Sequence, residues 1–271
     1  MNLNLKSRPI VICSEQRSGT TALQRSFFSS GDVTNYSEIF HTADSEYKAL
    51  GNFYHWSDSQ GSMKPFRGIE GVRKAFHKYL VFLSELSDKL YFIIDIKYNS
   101  WHHFNAGWYD SRSQPLMMTF IKELNIPILH VVRVNSFLKY LSAQYASASG
   151  VWHHDVSSEV KADALMVTLQ PQAVKYKMES SKQSVENFRA HLVPYRYSEE
   201  LIYEDMFDGI DLTAVAKEKI SMLISEEWVQ KLQTSLKKNP VNPKDIVGNI
   251  PELVEAFRST EFQWMINESL L

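Results

Sequence analysis

Cysteine is nearly absent from the chain, and so are long apolar runs. The single cysteine, Cys13, excludes an internal disulfide framework and a cysteine-rich zinc site. Because Cys13 lies in an apolar run, we predict a buried, unreactive thiol. No apolar run approaches the roughly 20 residues of a membrane-spanning helix, and residues 1–8 are too short and polar for a signal peptide. We therefore expect a cytoplasmic protein without an integral membrane segment.

The chain also lacks an excess of charge of either sign. It has 29 lysines and arginines against 31 aspartates and glutamates, a formal net charge of -2. This balance excludes a global attraction to nucleic acid or to an anionic membrane, so any anion site must be local. Hydrophobic residues make up 44% of the 271 positions, which is enough for a sizeable core. We expect one domain over residues 1–271 and no nucleic-acid partner.

Apolar runs of strand length alternate with helical patterns, which is typical of an α/β protein with a largely parallel sheet. We predict a P-loop-like, three-layer α/β fold whose central, mostly parallel sheet is flanked by helices, with a helical C-terminal part at 206–271. Segments around 41–65 and 99–115 are predicted to be mobile loops that cover or recognise an acceptor. The predicted strands are 10–13, 32–36, 90–96, 127–133 and 200–203; the predicted helices begin at Thr20 or span 71–86, 116–124, 137–148 and 174–192.

The first strand leads into a polar loop, Ser14-Glu-Gln-Arg-Ser-Gly19, and then into a helix that begins at Thr20. The free N–H groups of a first helical turn carry the positive end of the helix dipole, so this loop predicts an anion site. A nucleoside-triphosphate loop would need a lysine where this chain has Thr20. The positive charge is at Arg17 instead. Asp95, at the end of an apolar strand, resembles the magnesium-holding acid of such enzymes, but we interpret it as structural.

Gln16-Arg-Ser-Gly-Thr-Thr21 resembles the 5′-phosphosulfate loop of the sulfotransferases that use 3′-phosphoadenosine-5′-phosphosulfate (PAPS). A second motif of that family is a strand-ending arginine followed by a serine on the next helix, matched here by Arg133 and Ser142, with Ser136 as an alternative phosphate contact. The resemblance implies PAPS as donor. Its loop residues are Gln16, Arg17, Ser18, Gly19, Thr20 and Thr21, and Arg133 and Ser142 hold the 3′-phosphate.

Ala146-Ser-Ala-Ser-Gly-Val-Trp-His153 and Tyr203-Glu-Asp205 resemble the bacterial trehalose-type sulfotransferases, which implies a carbohydrate or glycolipid acceptor. In the wider superfamily the tyrosine lies near the adenosine, and Lys238 falls in the region of a C-terminal nucleotide loop. Trp152 and His153 are then candidates for the acceptor site, together with Lys97. The resemblance spans about the first 205 residues, and Val134-Asn135 departs from the Asp and Pro that often follow the arginine.

Sulfuryl transfer needs a grip on the leaving phosphate, stabilisation of the moving group and a base for the acceptor hydroxyl. Arg17 and the loop amides serve the first two, and Glu38, after the second strand, is the predicted general base, as the resemblance also implies. No metal is required, because the leaving group is already activated.

Several alternatives stay open from the sequence. The chain fits a magnesium-dependent kinase, if the missing lysine is disregarded, or a non-catalytic nucleotide-binding module that dispenses with Glu38. Lys97 fits a surface salt bridge, and Trp152 fits simple packing. Adjacent histidines do not converge on one ion, so neither His102-His103 nor His153-His154 predicts a metal site. We expect a small-molecule or glycan acceptor and leave open a homodimer.

Overall fold

A computed structural model describes residues 3–42, 50–60, 68–106, 113–150, 165–224, 226–236 and 242–271. Trp152, His153, His154 and Lys238 lie outside the described residues, and so do parts of the two predicted loops around 41–65 and 99–115. The predictions made for those residues therefore stay predictions.

Five parallel strands form the central sheet. They are β1 Arg8–Ser14, β2 Val33–Glu38, β3 Tyr91–Lys97, β4 Ile128–Val132 and β5 Ser198–Ile202. Their order across the sheet is β2-β3-β1-β4-β5. Consecutive residues of β1 face opposite sides, as the pleat requires: Ile10 and Ile12 pack in one core cluster, Val11 and Cys13 in another. The α/β prediction with its parallel sheet is confirmed.

Helices cover both faces of this sheet and give three layers. The bounds are α1 Thr20–Ser29, α2 Phe53–Ser59, α3 Ile69–Leu86, α4 Leu116–Glu123, α5 Ser136–Ser149, α6 Pro171–Leu192, α7 Ala214–Leu223, α8 Pro243–Ile246, α9 Ile250–Ala256 and α10 Gln263–Leu270, with 3-10 helices at Tyr98–Phe104, Tyr203–Asp205 and Glu227–Lys231. Helices α3 and α4 contribute to the Val11 cluster, and α1 and α7 contribute to the Ile10 cluster. Helices α5 and α6 pack with the C-terminal helices in a third cluster.

Three parts of the sequence prediction need correction. Residues 53–59 are a helix, because the Asn52 side chain accepts hydrogen bonds from two backbone N–H groups of the first turn and Phe53 and Trp56 are buried. Residues 98–104 form a 3-10 helix whose Trp101 is buried, so the start of the second predicted loop is ordered. The C-terminal part is not entirely helical, since it contains a short antiparallel pair, β6 Phe207–Asp208 and β7 Asp211–Leu212.

The sheet order places a crevice at the carboxyl end of β1. The chain builds the sheet on one side of β1 with β2 and β3 and then crosses to β4 on the other side. Ligands of open parallel sheets bind where the order reverses in this way. Among the residues that the structure describes, none of the helices has the length and apolar character needed to cross a bilayer. Cys13 is buried, as predicted, and burial raises the pKa of its thiol.

Candidate functional site

The loop between β1 and α1 turns sharply through two residues with left-handed backbone. Arg17 has φ 63° and Gly19 has φ 84°, and Gly19 is the N-cap of α1. A strained arginine backbone is a feature of ligand-binding loops, where it fixes the direction of a side chain. Gly19 has no side chain that could accept a hydrogen bond from the first-turn amides of α1, an arrangement that favours an anion at this helix N-terminus.

Tyr203 closes the loop from the far side of the crevice. A Cβ atom on Gly19 would come within 2.2 Å of Cδ2 of Tyr203, so only glycine fits at this contact. The guanidinium of Arg133 lies over the same ring, with its Cζ 4.7 Å from the ring centroid. The predicted adenosine residue Tyr203 is thus held against both the loop and the end of β4.

We expect Gly19→Ala to lower the free energy of unfolding by about 2–4 kcal/mol, from the forced left-handed backbone and the clash with Tyr203. Gly31 is a matched control, because it also has a left-handed φ of 80° but a Cβ added to it would meet no atom within 4 Å. Gly31→Ala should cost only about 1–2 kcal/mol, the backbone part. Chemical denaturation measures both, and equal losses in the two variants would show that the Tyr203 contact carries no weight.

Residues from distant parts of the chain meet at Arg17. Its Nη2 and Nε donate to Oγ of Ser142, on α5, at 2.9 and 3.3 Å. Arg133 donates from Nη1 to the backbone oxygen of Arg17 at 3.3 Å. The structure therefore brings the predicted loop and the predicted downstream pair into one cluster, in which Ser142 bonds to Arg17 rather than to Arg133.

The charges of two guanidinium groups, those of Arg17 and Arg133, interact at this corner. Burial lowers the pKa of Arg17, and the neighbouring charge of Arg133 lowers it further. Burial also lowers the pKa of Arg133, although Tyr203 and Glu204 act in the opposite direction. The buried Nε of Arg133 has no hydrogen-bond partner among the described residues. A bound anion would stabilise both charges and supply an acceptor for this donor.

The turn after Arg133 is fixed by polar contacts. The Glu204 carboxylate accepts the backbone N–H groups of Val134 and Asn135, both at 3.0 Å. Asn135 caps α5 by accepting the N–H of Leu138 at 3.0 Å. Val134-Asn135, where the sulfotransferases often have Asp and Pro, thus provides the N-cap of α5. Ser136 is buried with its Oγ 3.3 Å from Sδ of Met265.

A β-bulge brings Glu38 to the same edge of the sheet. Between the pairs Asn35–Ile93 and Glu38–Asp95, β2 advances three residues while β3 advances two. Ser37 absorbs the difference with φ 56°, and its N–H bonds to Oδ1 of Asn35 at 2.9 Å. Burial raises the pKa of Glu38 above its ordinary value, although nearby Lys97 acts to lower it. The carboxylate therefore has the raised proton affinity of a general base.

Lys97, at the end of β3, lies at the same edge of the sheet, where one of its two sequence interpretations put it. It is only 4% exposed, so the reading as a surface salt bridge is wrong. Its Nζ donates to Oγ1 of Thr20 at 2.6 Å and lies 3.5 Å from Oε1 of Glu38. A lysine from the adjacent strand β3 thus contacts Thr20, the position at which a nucleoside-triphosphate loop has its own lysine. Asp95, interpreted as structural, is buried beside it and accepts from Lys97 at 2.7 Å.

A cavity of about 260 Å³ opens beside Glu38 and Lys97. One wall is aromatic: the Phe40 and His103 rings are stacked at 4.6 Å, and the Tyr54 hydroxyl lies 3.1 Å from Nδ1 of His103. Burial lowers the pKa of His103 to about 4, with a further contribution from His102, so this ring is neutral at pH 7. The remaining residues around the cavity are Gln16, His41, Thr42, Asp95, Asn99, Ser100 and His102.

Only some of the residues that line this cavity are predicted from the sequence. Of its candidates, Gln16, Glu38 and Lys97 line the cavity, and so does Tyr54 from the predicted recognition segment. Phe40 was not predicted, and His103 falls within the second predicted segment, around 99–115, but was not singled out as a candidate for the acceptor site. Trp56, from the same predicted segment as Tyr54, is buried in the core instead.

The other predicted loop residues follow the turn. Ser18 and Thr20 are buried, and Thr21, the second residue of α1, is half-buried. Within the described ranges, no group of three or more His, Cys, Asp or Glu side chains is placed to hold a metal ion.

The chain matches no protein-family model, and no curated protein matches it. The function is therefore inferred from the site itself. That site combines an arginine-rich anion corner, a carboxylate of raised proton affinity and a small aromatic cavity, all at the carboxyl edge of one parallel sheet.

Proposed function

We propose that the protein is a sulfotransferase that moves the sulfuryl group of PAPS to a hydroxyl of an acceptor. The observation that carries the proposal is the meeting of Arg17 with Ser142 and Arg133, which are more than a hundred residues away along the chain. A donor with anions at both its 5′ and 3′ positions needs more than one positively charged side chain, and Arg17 and Arg133 provide two. The resemblance of Gln16–Thr21 to the phosphosulfate loop supports the same donor.

The donor fits the residues present. Arg17 and the first-turn amides of α1 would hold the 5′-phosphosulfate, and Ser142 with Arg133 would hold the 3′-phosphate. The orphan Nε of Arg133 is an unused buried donor for that phosphate. The Tyr203 ring would lie near the adenosine, with its position fixed by Gly19 and Arg133.

The transfer would be an in-line displacement. Glu38 accepts the proton of the acceptor hydroxyl as the oxygen forms its bond to sulfur. The bond between sulfur and the bridging phosphate oxygen breaks, and its electron pair leaves with adenosine 3′,5′-bisphosphate. Arg17 stabilises the charge that grows on the leaving phosphate. Lys97, 3.5 Å from the Glu38 carboxylate, lies where it can stabilise the charge of the base between turnovers.

The acceptor would enter the cavity beside Glu38. Its polar rim and its aromatic wall of Phe40, Tyr54 and His103 suit a ring that carries hydroxyls, and its volume of about 260 Å³ suits one ring rather than several. We propose a carbohydrate or glycolipid acceptor whose remaining part extends out of the cavity. A protein with a single, buried cysteine also fits a reducing compartment, and we propose the cytoplasm.

The raised pKa of Glu38 predicts the pH dependence of turnover. A base must be deprotonated to act, so kcat/KM should rise with pH through the Glu38 pKa, at a higher pH than an ordinary glutamate gives. The charge of Asp95 contributes to the raised pKa, so Asp95→Asn should move this acidic limb to lower pH. A pH profile of both proteins measures the shift; a limb at the same pH in both would separate Asp95 from Glu38.

Incubation with PAPS and a panel of neutral sugars, glycolipids and phenols tests the proposed reaction. We expect sulfated product by mass spectrometry, with release of adenosine 3′,5′-bisphosphate in equal amount and no requirement for magnesium. A phosphorylated product from ATP and magnesium, with none from PAPS, would instead identify a kinase.

A further inference from the structure

The ammonium of Lys97 lies among four oxygen atoms from three strands and a helix. Its Nζ is 2.6 Å from Oγ1 of Thr20, 2.7 Å from Oδ2 of Asp95 and 3.2 Å from Oγ of Ser14. Oε1 of Glu38 is the fourth, at 3.5 Å. Two hydroxyls and two carboxylates form this set, which we call the Lys97 cage. Carboxylate and hydroxyl oxygens are ligands that hard cations prefer.

Strand register explains why these four residues meet. Asp95 and Lys97 are two residues apart on β3, so their side chains project from the same face of the sheet. Ser14 pairs with Lys97 across the parallel ladder, and Glu38 pairs with Asp95 after the bulge. Thr20 is the first residue of α1, the helix that follows directly from this edge. The cage is therefore built into the backbone of the sheet.

The Lys97 cage includes an oxygen atom that accepts no hydrogen bond from the lysine. Gln24 also donates to Oδ2 of Asp95, at 2.6 Å, whereas the buried Oδ1 has no hydrogen-bond partner among the described residues. The Asp95 side chain is fully buried and lies at the lining of the cavity. The two carboxylates carry two negative charges against the single charge of Lys97. A cation placed there would thus be held by ion pairing as well as by unused oxygen.

We infer that the Lys97 ammonium is a resident cation that fills a divalent-metal position, and that removing it exposes a metal-binding site formed by Ser14, Thr20, Glu38 and Asp95. The lysine would also supply, at the loop, the positive charge that nucleotide enzymes take from magnesium. Only this second role rests on the proposed reaction. The lysine is covalently fixed, so the intact protein would show no need for a metal at this position.

Manganese binding to the nucleotide-free protein tests the inference. Lys97→Ala leaves the four oxygens in place and opens room for an ion. We expect its dissociation constant for Mn²⁺, measured by electron paramagnetic resonance of the free ion, to be at least about tenfold lower than that of the unchanged protein. Adding Asp95→Asn to Lys97→Ala should remove the gain. The ion should also raise the melting temperature of Lys97→Ala, because the buried Asp95 carboxylate and the neighbouring, partly buried Glu38 carboxylate are destabilising without a cation.

Lys139 provides a matched control. It is another buried lysine at the loop, but its Nζ contacts one carboxylate, Glu15, and one hydroxyl, Ser181, so Lys139→Ala should gain no Mn²⁺ affinity. Equal Mn²⁺ affinity in Lys97→Ala and the unchanged protein would overturn the inference, and so would a gain that survives Asp95→Asn. If Lys97→Ala folds only when Mn²⁺ is added, the cage is supported; a chain that stays unfolded with and without the ion counts against it. No nucleotide enters these measurements, so a protein that ignores PAPS would leave the result on the cage intact.

Discussion

Replacing Glu38 by glutamine is expected to lower kcat by about 10²- to 10⁴-fold and to change the dissociation constant of adenosine 3′,5′-bisphosphate by less than about threefold. Glutamine keeps the shape of the side chain and an oxygen for Lys97 but cannot accept a proton from the acceptor. In the proposed site, other residues would hold the nucleotide, namely Arg17, Arg133 and Ser142. Steady-state kinetics and calorimetry on the same preparation separate the two quantities.

The same variant makes a prediction about stability. Because the pKa of Glu38 is raised in the folded protein, the folded state binds more protons than the unfolded state just above the ordinary glutamate pKa. The ionised carboxylate therefore lowers the free energy of unfolding, and this loss grows as pH rises from the ordinary glutamate pKa to the raised one. Glu38→Gln should melt at a higher temperature than the unchanged protein at pH 7, and the gap should close in acid.

Glu85→Gln is the control for both readouts, because Glu85 is exposed on α3, away from the site. It should leave kcat within about twofold, since an exposed substitution away from such features has little effect. Turnover of Glu38→Gln at the normal rate would remove Glu38 from the mechanism.

Replacing Arg133 by methionine is expected to weaken the binding of adenosine 3′,5′-bisphosphate by about 10- to 100-fold, the value of one lost charge-assisted hydrogen bond. The affinity for adenosine 5′-monophosphate, which lacks the 3′-phosphate, should change by less than about threefold. The reason is the position of Arg133, whose buried Nε has no hydrogen-bond partner among the described residues and whose guanidinium lies over Tyr203. Calorimetry with the two nucleotides gives the ratio directly.

Methionine retains the length of the arginine stem and removes a buried charge whose pKa is already lowered by burial, so folding should be preserved. Arg258→Met, at an exposed arginine paired with Glu255, should change neither affinity. An equal loss for the two nucleotides would mean that Arg133 supports the loop, through the Arg17 carbonyl, rather than the 3′-phosphate.

The fold could be predicted from the sequence because apolar runs of strand length alternate with helical patterns. Each of the five predicted strands exists, and Arg133 follows β4 directly. The prediction for 53–59 was wrong because the short helix there is stabilised by one Asn cap and by burial of Phe53 and Trp56, which periodicity over a short segment does not reveal.

The side-chain contacts within the site could not be predicted from the sequence to the same extent. Asp95 and Lys97 are two residues apart in a strand, so the sequence alone places them on one face. The register that places Ser14 opposite Lys97 depends on how β1 and β3 pair, which the sequence does not reveal. The bulge at Ser37 likewise decides where Glu38 points, and nothing in Asn35–Glu38 except one asparagine hints at it. The sequence therefore predicted the edge of the sheet and its arginines, whereas the burial of Lys97 needed the structure.

The central claim is that the loop, Arg133 and Ser142 form a donor site for a 3′-phosphorylated nucleotide. Calorimetry tests it most directly, by comparing the binding of adenosine 3′,5′-bisphosphate to the unchanged protein with that of ATP and magnesium. The bisphosphate is expected to bind without magnesium and at least about tenfold more tightly than ATP. Tight, magnesium-dependent binding of ATP with no binding of the bisphosphate would contradict the proposed donor site.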